Sequence, residues 1–63
     1  MKKELYAGIE QMSGSGESLE NIFVMMYITA GYPPHAYEDD FCLWMNVHEP
    51  SNDEIVEYFL KGK

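Results

Sequence analysis

Sixty-three residues allow one domain at most, spanning 1–63, and a chain this short buries only about 60% of the surface that its unfolded form exposes. A composition that is 46% hydrophobic and 14% aromatic excludes an intrinsically disordered chain. Eleven carboxylates, none of them matched by a Lys or Arg between Glu4 and Leu60, argue against direct binding to nucleic acid or an anionic membrane and favour a positively charged protein partner.

The start, Met1-Lys2-Lys3, runs into Glu4 rather than into an apolar run, so no leader peptide is expected. Residues 4–12 alternate loosely through Leu5, Ala7 and Ile9 and read as an outer strand that turns at Ser13-Gly14-Ser15-Gly16. Residues 21–30 (NIFVMMYITA) are rich in β-branched and aromatic side chains, as are residues 41–48 (FCLWMNVH), which makes them two further antiparallel strands. Between them lies a loop carrying Gly31-Tyr32-Pro33-Pro34 and the acidic run Glu38-Asp39-Asp40. After Glu49-Pro50, Ser51 and Glu54 stand three apart as a capping box. Ile55, Val56, Phe59 and Leu60 then recur at helical spacing, Lys61 falls in the last turn, and Gly62 suits the left-handed C′ position. The spacing predicts a helix over 52–61. The fold expected from these segments is α+β, a three-stranded antiparallel sheet with a C-terminal helix.

An all-α chain of three to four short helices competes with that fold. Leu19, Ile22, Phe23, Met26 and Ala30 also fit helical spacing, with Ser18 as N-cap and Gly31-Tyr32-Pro33 as a stop. Leu5, Ile9 and Met12 fit a first short helix in the same way.

Taken as a strand, residues 21–30 are apolar on both faces, and a strand of that kind expects cover on both sides. One ten-residue helix, about 15 Å long, covers one face of a small sheet. The other face then presents Phe23, Met25, Tyr27 and Trp44, and apolar patches rich in aromatics and Met mark interaction surfaces. Flanking carboxylates Glu38, Asp39 and Asp40 complete the candidate partner-binding set, with Asp53, Glu54 and Glu57 as a second acidic group on the outer side of the last helix. Three ways of covering the patch compete: the 32–37 loop folding back, a second copy in a homodimer, or a different protein. The function expected is a small acidic protein-binding module, an inhibitor or regulator of a host protein of the kind that phages and mobile elements encode. The alternative is a DNA-mimic decoy whose carboxylates occupy the basic groove of a nucleic-acid-binding protein.

Catalysis and cofactors find little footing. Cys42 lies in an apolar run with no basic neighbour to lower its pKa, which suits a buried structural thiol. His35, Cys42, His48 and Glu49 match no paired-ligand spacing, so no metal is expected. Gly14 and Gly16 lead into Glu17, which would repel a phosphate. As the only cysteine, Cys42 suits a reducing compartment, and the longest apolar stretch, residues 22–28, is too short to span a bilayer. The expected location is cytoplasmic.

Overall fold

A computed structural model describes residues 2–61 as four helices: α1 (Lys2–Ser15), α2 (Leu19–Thr29), α3 (Glu38–His48) and α4 (Asn52–Leu60). Among the described residues there is no strand, so the three-stranded sheet is overturned and the all-α alternative is the observed class. The deciding feature is the period of the buried side chains. Leu5 and Ile9 in α1, Ile22, Phe23 and Met26 in α2, and Ile55, Val56 and Phe59 in α4 are spaced by three and four residues and all point into one core. The β-branched composition of residues 21–30 is a weaker preference, and tertiary burial overrides it.

Local signals set the helix ends. Gly16 ends α1 with φ 72°, and the Glu17 N–H donates back to the Met12 carbonyl. Ser18 caps α2 by accepting from the Asn21 N–H at 3.3 Å. At its other end Gly31, with φ 84°, reverses the chain, and the Tyr32 N–H reaches the Tyr27 carbonyl at 2.9 Å. The run Glu38-Asp39-Asp40, expected in a loop, is instead the first turn of α3, where three carboxylates oppose the positive end of the helix dipole. α4 starts at its expected first residue, Asn52, and ends at Leu60, one residue short of the expected 52–61. Ser51 accepts from the Glu54 N–H at 3.3 Å while the Glu54 carboxylate accepts from the Ser51 N–H at 2.9 Å. The C′ position expected at Gly62 lies outside the described residues.

α1 packs against α2 and α4, and α2 packs against α3. Aromatic rings complete the fourth side. Phe41 of α3 is fully buried, with its ring centroid 5.5 Å from Phe23, 5.3 Å from Phe59 and 5.5 Å from Tyr58. The 32–37 loop does fold back, burying Pro33 and Ala36. It is fastened to α4: the His35 Nε2–H donates to the Tyr58 carbonyl at 2.9 Å, and the Tyr37 N–H donates to the Tyr58 hydroxyl at 3.4 Å. A carbonyl can only accept, so this bond places the ring proton of His35 on Nε2.

Candidate protein-interaction site

The helices redistribute the residues expected on one exposed face. At 100° per residue Phe23 and Tyr27 share a side of α2, and Met25 faces away from both. Phe23 belongs to the core rather than to a surface, touching Phe41 and Phe59. Tyr27 is half-buried and stacks on Phe23 at 5.4 Å. Met25 is exposed on the outer face of α2, and Trp44 is half-buried on α3. The structure therefore does not bring Phe23, Met25, Tyr27 and Trp44 together as one patch. Of the acidic set, Glu38, Asp39 and Asp40 are all exposed, and Asp40 lies beside Trp44.

Trp44 is the centre of what the structure does assemble. Its indole stacks on the Tyr58 ring, centroids 5.0 Å apart and planes 19° from parallel. This pair forms the floor of an open hollow of about 460 Å³ between α3 and α4, walled by Asp53, Glu54, Glu57 and Lys61. On its other side Trp44 lines a second hollow of about 240 Å³ with Asp40, Leu43, Val47 and His48. Leu43 and Val47, four residues apart on one face of α3, are 65% and 62% exposed. The two hollows share Trp44, so the surface runs unbroken from the leucine–valine ridge of α3 across the aromatic pair to the carboxylates of α4. Four carboxylates line it against one ammonium group, Lys61.

Tyr58 holds this surface in place. Its phenol donates to the Tyr37 carbonyl at 3.5 Å, and burial pushes its pKa above the usual tyrosine value. The Ser51 N–H lowers the pKa of Glu54 from the usual carboxylate value by bonding to its carboxylate. Glu57 also meets Lys2 across 3.0 Å, with both side chains largely exposed. A pair so exposed contributes little to stability and leaves Glu57 free to change partner.

Tyr58, Leu43 and Val47 were missed as site residues. Tyr58 gives no local signal, because its stacking partner is fourteen residues away in the chain. A strand's period of two puts Leu43 and Val47 on the same face as the buried Phe41 and opposite to Trp44. A period of 3.6 puts both on the outer side of α3 and would have found them.

Cys42 is half-buried rather than enclosed. Burial raises its pKa, and the carboxylates of Glu20, Glu38 and Asp39 raise it further. The sulfur is therefore held as a thiol near neutral pH, a poor nucleophile. A disulfide reagent should modify Cys42 more slowly than a free model thiol at pH 8, and the rate should still be climbing at pH 9, where the model thiol has begun to level off. A rate plateau below pH 8 would contradict this. Among the described residues, no group of three or more His, Cys, Asp or Glu is placed to hold a metal ion. No described helix is long and apolar enough to cross a membrane.

No family model, curated protein or solved structure matches this chain.

Proposed function

We propose that this chain is an acidic protein-binding module, without catalysis of its own, that grips a basic segment of another protein across the α3–α4 surface. The observation that carries the proposal is the Trp44–Tyr58 stack, set between an exposed apolar ridge and a carboxylate wall. Interfaces concentrate their binding energy in aromatic anchors at the centre, with charged groups at the rim. The fitting partner offers an apolar side chain to the Leu43–Val47–Trp44 hollow and Lys or Arg side chains to Asp40, Asp53, Glu54 and Glu57. An arginine serves both needs, since its guanidinium stacks on indole and pairs with carboxylate. A module with no other evident chemistry acts by occupying its partner, which is inhibition or regulation. The single half-buried thiol suits work in the reducing cytoplasm.

Affinity capture from the cells that express the chain, followed by a salt titration of the captured complex, tests this. Raising salt from about 0.05 M to about 0.5 M shortens the screening length from roughly 14 Å to roughly 4 Å, so affinity should fall at least tenfold. A complex indifferent to salt, or a partner whose contact surface is itself acidic, contradicts the proposal.

A further inference from the structure

Two features of the hollow between α3 and α4 narrow the kind of side chain that fits it. The first is how its carboxylates are engaged. Glu54 accepts from the Ser51 N–H through Oε1, and Glu57 meets Lys2 across 3.0 Å. No hydrogen bond or ion pair with a described residue engages the Asp53 carboxylate. Asp53 and Glu57 stand one turn apart on the same side of α4, so a single cation can meet both.

The second feature is that ammonium groups are already present. Lys61, four residues beyond Glu57, lines the hollow, and Lys2 reaches Glu57 from α1. The lysines lie only at the ends of the chain, and the fold brings one from each end to this wall. A lysine from a partner would exchange one exposed ammonium–carboxylate pair for another. Such pairs are weak, so the exchange gains almost nothing.

Resting on the reading above, we propose that the hollow receives an arginine side chain of the partner in preference to a lysine. Its guanidinium lies against the Trp44–Tyr58 pair, within reach of Asp53 and Glu57. A guanidinium is planar, carries five donors and is more weakly hydrated than an ammonium. It can therefore touch aromatic rings and still serve two carboxylates at once. Displacing the chain's own lysines costs either ligand the same. The preference comes from the rings that floor the hollow, since charge alone does not separate the two.

The test titrates the full chain with two capped peptides, Gly-Gly-Arg-Gly-Gly and Gly-Gly-Lys-Gly-Gly, at constant ionic strength. Binding is read by nuclear magnetic resonance from the α4 amides and the indole N–H of Trp44, the single tryptophan. The arginine peptide should bind about three- to tenfold more tightly than its lysine twin. In Trp44→Leu, read from the α4 amides and with helix content checked by circular dichroism, the two peptides should bind alike. Trp44→Phe, which keeps a ring, should narrow the ratio and serves where Trp44→Leu fails to fold. Lys61→Met should tighten both peptides severalfold and leave their ratio unchanged. Lys3→Met makes the same change of charge away from the hollow and should do less. Equal affinities in the natural chain overturn the preference for arginine. They leave the basic-segment reading standing, because the captured complex and its salt response decide that reading separately. A ratio that survives Trp44→Leu overturns the proposal as well, and so do resonance shifts that spare α3 and α4.

Discussion

Phe41→Ala should unfold this domain, or bring it to the edge of unfolding at room temperature. The ring is fully buried and lies within 6.2 Å, centroid to centroid, of Phe23, Trp44, Tyr58 and Phe59, which come from all the helices except α1. Truncating a buried phenylalanine costs about 3–5 kcal/mol, the sum of lost transfer energy and the cavity left behind. A 63-residue domain has about 3–9 kcal/mol in total at typical stability per residue. A shift of about 4–8 °C per kcal/mol then implies a melting temperature lower by roughly 15 °C or more. Phe41→Leu, which keeps most of the volume, should cost less than about 1.5 kcal/mol. Met25→Ala, on the open face of α2, should barely register. Thermal melts followed by circular dichroism separate the three, and a Phe41→Ala melt within a few degrees of the natural chain would show that the aromatic cluster is not what joins α3 to the rest.

The reason that α4 was legible in the sequence and α2 was not lies in what each helix shows to solvent. α4 alternates Ile55, Val56 and Phe59 with Asp53, Glu54 and Glu57, so its period is written in contrast between apolar and charged residues. It also begins with a cap whose two hydrogen bonds are local. α2 has the same inner stripe, but Val24, Met25 and Ile28 fill its outer side with apolar residues as well. With apolar residues on its outer side as well, the helical period of this segment is only weakly marked, and a buried strand and a helix of that composition look alike. β-branched residues then tipped the choice toward strand. α3 is similar, with Leu43 and Val47 outward and Phe41 inward.

An excess of apolar surface over what the chain can cover was read from the wrong secondary structure, yet the surface exists, divided between two helices instead of gathered on one sheet. Trp44 and Asp40 were legible as members of it. Phe23 and Tyr27 were misplaced because a period of two separates them from the core, while a period of 3.6 stacks them together on it. Tyr58 depends on tertiary contact alone.

Trp44→Ala should weaken the complex with the basic partner by about a hundredfold, since aromatic anchors at the centre of an interface carry energies of this size. Trp44 faces two ways. Its indole lies on Tyr58 and touches the Phe41 ring, centroids 6.2 Å apart, and it also lines both hollows. Its removal therefore costs some stability, and the variant's helix content must be checked by circular dichroism before its affinity is read. Two further variants avoid that difficulty. Trp44→Phe keeps a ring on Tyr58 but loses half of the anchor, and should cost about tenfold. Leu43→Ala removes a side chain that is 65% exposed and supports no core contact, so a severalfold loss there reports the surface alone. Carboxylate changes distinguish this mode from a DNA-mimic decoy. For a decoy, Asp53→Asn and Glu57→Gln would dominate, each lowering the salt dependence of binding, and Trp44→Phe and Leu43→Ala would bind as the natural chain does. For an anchored interface the apolar variants lose affinity at every salt concentration, because screening does not act on the contact that they remove.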